Sequence, residues 1–247
     1  MKNWSVAPAA SVVLAAIIAT SYTSRLALAV VVGLAVVLFA WGWPHALGMP
    51  ARKSVGSVIG LAGLGSLALS LYAPLNALMT WMPIIVAIGV IAVFLIQLFR
   101  GTGQSGRLES TLGSAAGVMI SAFGGGWVAA DRLSTNATNS GVMLVTGIGV
   151  FVAGAICTIR WPDRIVAPLG ILLGGLAGPL TAILFTRVSP LAAAIIGIAC
   201  AAVVVSFRRL VLSREFNPSI PAWLSLSMCP VVALGALVYF LDKLLIA

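Results

Sequence analysis

The chain has 247 residues, of which 61% are hydrophobic and 8% are charged, and its mean hydropathy is +1.16. A soluble globular domain needs more charge than this to cover its surface, so the composition excludes that class and favours a protein that lies in the lipid bilayer. The net charge of +9 then indicates Lys and Arg on cytoplasmic loops, with no nucleic-acid partner.

Apolar runs, separated by charges or by Pro and Gly turns, follow one another along the chain and predict an all-α polytopic membrane protein with about nine transmembrane helices. The predicted spans cover 6–22, 26–43, 55–72, 76–99, 110–130, 140–159, 165–186, 190–206 and 221–241. Unbroken apolar runs favour helices over the alternating strands of a barrel. We interpret the first run as a retained span and not as a signal peptide, because a second apolar run follows almost at once.

The distribution of basic residues predicts the orientation. With the N-terminus in the cytoplasm, ten of the 14 Lys and Arg residues fall on inner segments and four on outer segments. Every inner loop is then basic, as the positive-inside rule requires. We therefore predict a multi-pass protein of a cell inner (plasma) membrane, with a cytoplasmic N-terminus and an external C-terminus.

The stretch RGTGQSGR, at 100–107, contains the G-x-G-x-x-G spacing of dinucleotide-binding turns. That motif needs a preceding strand, a following helix and an acidic residue about 20 positions further on. Here predicted membrane spans flank the glycines, and Asp131 falls on the opposite side of the membrane. We therefore interpret the stretch as an inner loop.

An internal repeat is predicted by short matches that keep their order at separations of 107 to 118 residues, such as Trp43-Pro44 with Trp161-Pro162 and Arg25-Leu26 with Arg132-Leu133. They divide the chain into a four-helix unit at 1–109, a second at 110–216 and one extra C-terminal helix at 217–247. A unit with four spans begins and ends on the same side of the membrane, so the second unit enters in the same direction as the first. The two units should therefore be parallel and related by rotation about the membrane normal. Parallel repeats of this kind occur in transporters.

Glycines spaced four residues apart predict a close contact between the third and seventh spans or their neighbours, since a missing side chain lets two backbones approach. These glycines are Gly56, Gly60, Gly170, Gly174 and Gly178. The run Phe123-Gly124-Gly125-Gly126-Trp127 weakens the fifth span and allows three interpretations: a broken helix at a binding site, a tight helix crossing, or a frayed outer end.

Four inner arginines are the candidate substrate-binding residues: Arg100, Arg107, Arg208 and Arg214. In the predicted repeat, Arg100 and Arg107 correspond to Arg208 and Arg214, and the four could form a basic vestibule for the phosphate groups of a lipid. The alternative is that they only set the topology.

Few residues support catalysis, a metal or a cofactor. His45 is the only histidine, and all five acidic residues (Glu109, Asp131, Asp163, Glu215 and Asp242) are assigned to interfaces or loops. The three cysteines lie singly in apolar runs and are interpreted as small hydrophobic residues. We predict no metal, no cofactor and no catalytic residue, which favours a protein that is not an enzyme.

The resulting hypothesis is a permease-like or flippase-like protein that handles a small or amphipathic anion. The alternatives are a non-catalytic membrane subunit of a larger complex and a lipid-modifying membrane enzyme. The expected partners are membrane lipids and, for the second hypothesis, other membrane subunits, while homo-oligomerisation is left open.

Overall fold

The computed structural model describes residues 6–49, 51–99, 107–136, 141–159, 161–212 and 219–246. These residues form ten α-helices and a 3-10 turn at Leu75–Ala77, and none of them lies in a strand. The helices are α1 (Val6–Ser21), α2 (Arg25–Ala46), α3 (Arg52–Tyr72), α4 (Met82–Phe99), α5 (Arg107–Phe123), α6 (Gly126–Asn136), α7 (Val142–Cys157), α8 (Asp163–Phe185), α9 (Pro190–Leu212) and α10 (Ile220–Leu245).

Seven apolar helical segments of the described chain are long enough to cross a membrane. They are α2, α3, α4, α8, α9, α10 and the combined α5–α6 segment Leu108–Thr135. α1 and α7 are apolar as well but have only 16 residues each. The chain is therefore an integral, multi-pass, all-helical membrane protein, and nine spans remain a prediction in which α1 and α7 supply the two short ones.

α10 lies at the centre of the bundle, in contact with α1, α2, α5, α6 and α9. The approach of α10 to α2 is close, because a Cβ added at Gly42 would overlap the Pro221 carbonyl and lie 2.6 Å from Ser225 Cβ. The helix that the repeat hypothesis treats as an addition thus packs against both predicted units. The repeat itself remains a prediction.

The helix termini form two polar ends of the bundle. The C-terminal ends of α3, α6 and α10 meet at one of them, which we call the Arg132 end. The C-terminal ends of α2 and α4 and the N-terminal end of α5 lie at the other, which we call the Arg208 end because Arg208 of α9 pairs there with Asp163 of α8. In the predicted topology the Arg132 end is outside and the Arg208 end is cytoplasmic.

The fifth span differs from its predicted bounds of 110–130. It is broken after Phe123, and its second part continues as a helix to Asn136. The sequence-based boundary followed the loss of apolar residues after Ala130. The backbone stays helical beyond that point, because the polar side chains there find partners on α3 and α10.

Candidate functional site

A break interrupts the membrane segment Leu108–Thr135 near its middle. α5 ends at Phe123 and α6 begins at Gly126, with a two-residue turn between them. The backbone of the turn stays bonded, since the Gly124 N–H donates to the Ser121 carbonyl at 3.1 Å. In lipid, unpaired backbone groups are costly, so a break inside a span needs such bonds and surrounding protein.

Close packing against α10 explains the glycines at this break. A Cβ added at Gly126 would overlap the backbone of Ala236, and a Cβ added at Gly235 would lie 2.5 Å from the Phe123 carbonyl oxygen. Of the three interpretations of the segment 123–127, the structure shows a tight helix crossing combined with a broken span. The frayed end is wrong, because α6 continues for 11 residues beyond the break.

Hydroxyl groups brace the interrupted span against α3. Ser66 Oγ donates to the Ala122 carbonyl at 2.7 Å, and Ser121 Oγ donates to the Ile59 carbonyl at 2.7 Å. On the other side, Trp127 Nε1 donates to a carbonyl of α10 at 2.8 Å. These three bonds hold α5 and α6 on either side of the turn, so the break occupies a defined position between α3 and α10.

Arg132 of α6 reaches the C-terminal end of α3. Its Nη1 donates to the carbonyl oxygens of Ser70, at 2.8 Å, and Ala73, at 2.6 Å. Carbonyls at a helix C-terminus lack intrahelical partners and carry partial negative charge, so a guanidinium is favourable there. Arg132 therefore ties α6 to α3 at the Arg132 end.

Buried polar contacts also join α6, and the loop between α3 and α4, to the last turns of α10. Ser134 Oγ donates to Asp242 Oδ2 at 3.0 Å, and the Tyr239 hydroxyl donates to the Leu78 carbonyl at 3.0 Å. Asp242 is 2% exposed and Ser134 is 7% exposed. Asp131, also buried, lies within electrostatic range of Arg25 of α2.

These polar groups were missed by the sequence analysis, which placed Asp131 and Arg132 in an outer loop and Asp242 at an interface. The structure buries both aspartates within helices. One signal was present in the sequence: the segment 126–136 contains neither Pro nor an internal Gly and can continue a helix. Only its polarity argued for a loop.

At the Arg208 end, Asp163 is shared by two arginines. Arg208 Nη1 contacts one carboxylate oxygen, and Arg209 Nε donates to the other at 2.7 Å. Arg208 Nε also donates to the Cys157 carbonyl, at the C-terminus of α7, at 3.0 Å. The Arg208 side chain is 13% exposed and the Arg209 side chain is 59% exposed. Two guanidinium groups around one carboxylate leave one net positive charge.

Of the four arginines predicted to bind substrate, Arg208 is the one whose side chain the structure describes. Arg100 and Arg214 lie outside the described residues, and Arg107 begins α5 with its side chain outside them. Arg208 lies at the end of α9 as expected, but the sequence analysis did not anticipate its pairing with Asp163.

The predicted packing glycines contact helices that are neighbours in the chain. Gly56 approaches the Ala40 carbonyl of α2, and Gly60 approaches the Ala40 side chain. On α8, all three glycines face α9, where a Cβ at Gly174 would lie 2.7 Å from Ala201 Cβ. Gly170 and Gly178 approach Val205 and the Ala193 carbonyl of α9. Each set therefore packs within its own predicted unit.

No group of three or more His, Cys, Asp or Glu side chains occurs within the described part of the chain that could hold a metal ion. His45 Nδ1 pairs with the Trp41 carbonyl at 2.9 Å. Comparison with protein-family models, with curated proteins and with solved structures finds no match for this chain. The interrupted span and the two polar ends are the features of the described chain that bear on its function.

Proposed function

We propose that this protein is a permease-like or flippase-like membrane protein that handles a small or amphipathic anion, with phosphate-bearing lipids as the leading substrate class. The observation that carries the proposal is the interrupted span in the middle of the bundle, between α3 and α10. The proposed location is an inner membrane, with the Arg208 end in the cytoplasm.

An interrupted span is costly for a helix that serves only packing. Three consecutive glycines weaken a helix by roughly 2–3 kcal/mol relative to alanine, and the turn must be enclosed by protein. Discontinuous helices near the bilayer midplane are a recurring feature of transporters, where they form substrate and ion sites. The turn between α5 and α6 places such a discontinuity inside the bundle, enclosed by α3 and α10.

The charge at the Arg208 end supports an anionic substrate. Among the described residues, Arg208 and Arg209 share the carboxylate of Asp163, so these three side chains together carry one net positive charge. Guanidinium groups bind phosphate in a bidentate manner, and such charge-assisted bonds are about twice as strong as neutral ones. A phosphate could therefore bind beside Asp163 or replace it as the partner of Arg208. The loop arginines Arg100, Arg107 and Arg214 are expected on the same side.

Reconstitution of the purified protein into liposomes tests the proposal. One assay follows a fluorescently labelled phospholipid and measures the fraction that impermeant dithionite can reduce, which rises above one half when lipid crosses the bilayer. A second assay measures uptake of labelled inorganic phosphate. We expect activity above that of protein-free liposomes in at least one of them, and folded protein that is inactive in both would contradict the proposal.

A non-catalytic membrane subunit is the second candidate, and α4 is the observation that favours it. The residues buried in α4 are Gly89, Val93 and Gln97, while large side chains such as Ile88 and Phe94 are exposed. Lipid or a partner helix would cover this face. A partner that co-purifies at fixed stoichiometry, together with inactivity of the isolated chain in both flux assays, would favour the subunit.

A further inference from the structure

The last two turns of α10 hold a buried carboxylate for which the described residues provide no ion-pair partner. Asp242 is 2% exposed and accepts one hydrogen bond, from Ser134 Oγ of α6 at 3.0 Å. Both ion pairs of the described residues involve Asp163 at the opposite end, so no described Lys or Arg lies within 4.0 Å of Asp242. Its recorded partner is a neutral hydroxyl.

The charged and titratable groups around Asp242 are engaged elsewhere. On α6, Asp131 lies within electrostatic range of Arg25 of α2, and Arg132 is bonded to two carbonyls of α3. On α10 itself, the Tyr239 hydroxyl is bonded to Leu78, and the Lys243 Nζ atom lies over the Tyr239 ring at 5.9 Å.

On the described parts of α5 and α9, which also pack on α10, no acidic or basic side chain lies at the Arg132 end. α5 and α9 carry their acidic and basic side chains at the Arg208 end, in Glu109 and in Arg208 and Arg209. Tyr22, in the turn after α1, is within electrostatic range of Asp131. Arg187, between α8 and α9, is exposed.

The ionised form of a carboxylate with this burial and a single neutral partner has a high free energy. Burying an ionised group with one neutral partner is strongly unfavourable, and proteins usually neutralise such a group by protonation. Ionisable residues inside membrane spans are correspondingly rare and are associated with proton and ion pathways. Asp242 lies three residues before the end of α10, about 5 Å along the helix axis, so water at the Arg132 end is close.

We propose that Asp242 is a proton-binding site in the contact between α6 and α10, protonated while the two helices are packed and ionised when they separate. Ionisation needs water around the carboxylate, and water enters only if the Ser134 contact opens. Separation of α6 from α10 also breaks the Trp127 bond to α10, and the turn at 124–125 is the point where α6 hinges on α5. The proton exchanges with the solution at the Arg132 end, and this proposal does not depend on the identity of the transported anion.

Infrared spectroscopy of the reconstituted protein tests the site without any substrate. A protonated carboxylic acid has a C=O band distinct from that of a carboxylate, and labelling aspartate with ¹³C at the side-chain carboxyl separates the three aspartates of the chain from its two glutamates. We expect an aspartic acid band at neutral pH that is lost at alkaline pH. Asp242→Asn should remove the band, and the matched control Glu109→Gln should leave it unchanged.

Two further variants keep the test decisive if Asp242→Asn fails to fold. The band should persist in Asp131→Asn and in Asp163→Asn, which leaves Asp242 as its source. Thermal stability of the wild type should fall at alkaline pH. The proton on Asp242 is bound in the packed state and stabilises it, and this contribution is lost when the rising pH removes the proton. Absence of an aspartic acid band at neutral pH in the wild type, or its persistence in Asp242→Asn, would overturn the proposal.

Discussion

The crossing of α10 over the interrupted span predicts opposite effects for the same substitution at two glycines. Gly235 of α10 faces the break, and a Cβ there would lie 2.5 Å from the Phe123 carbonyl oxygen and 3.0 Å from the Trp127 nitrogen, compared with 3.4–4 Å for an ordinary contact. Gly154 of α7 is the matched control, because a Cβ there meets no heavy atom within 4 Å. We expect Gly235→Ala to destabilise the protein and Gly154→Ala to stabilise it.

The magnitudes follow from packing and helix propensity. At Gly235 two of the three close atoms belong to the backbone and cannot rotate away. α10 and α6 must therefore separate by roughly 1 Å, and overpacking of this kind costs about 1–3 kcal/mol. Alanine returns at most about 1 kcal/mol in helix propensity at either site. Gly235→Ala should therefore lower the free energy of unfolding by up to about 2 kcal/mol, while Gly154→Ala should raise it by up to about 1 kcal/mol.

Reversible unfolding in mixed micelles, with increasing sodium dodecyl sulfate and tryptophan fluorescence as the signal, measures both values. Trp127, one of the seven tryptophans that contribute to this signal, lies next to the substituted position. If Gly235→Ala were as stable as the wild type, or if both variants changed stability in the same direction, the close approach of α10 to the break would be refuted.

The other predictions concern the arginines and the orientation. Arg132→Gln should lower the free energy of unfolding by about 2–3 kcal/mol, because it leaves the part-buried carbonyls at the end of α3 without a charged donor. Arg187→Gln, at an exposed position, should change the free energy of unfolding little. Equal effects of the two substitutions in the same denaturation assay would contradict the role of Arg132. Arg208→Gln should reduce the flux of lipid or phosphate in liposomes ten- to hundredfold, which corresponds to about 1.5–3 kcal/mol for a lost charge-assisted contact. Arg208→Lys should restore this flux only in part. Full rescue by lysine at unchanged expression would indicate that Arg208 only sets the topology. In a cysteine-free background, Thr23→Cys should react with an impermeant thiol reagent in intact cells and Ser105→Cys should not, and labelling of Ser105→Cys from outside would reject the nine-span topology.

The sequence by itself determines that this is an all-helical membrane protein. Backbone groups in lipid must bond within their own segment, so long apolar runs have few alternatives to helices, and composition suffices to show it. The weak point at residues 123–127 is also visible in the sequence, because consecutive glycines reduce helix propensity wherever they occur. Such properties are local, and no distant contact is needed to recognise them.

The tertiary structure decides which polar groups meet. Arg132 finds its carbonyl partners 62 and 59 residues away, and Ser134 meets Asp242 across 108 residues. These distant partners explain why the segment after Ala130 stays helical, although its polarity alone predicts a loop. In the same way, whether three glycines fray, bend or cross another helix depends on what approaches them, and here Gly235 of α10 makes them a tight crossing. A helix-breaking sequence indicates where a span is weak. The neighbouring helices then determine whether the span frays, bends or forms a tight crossing at that point.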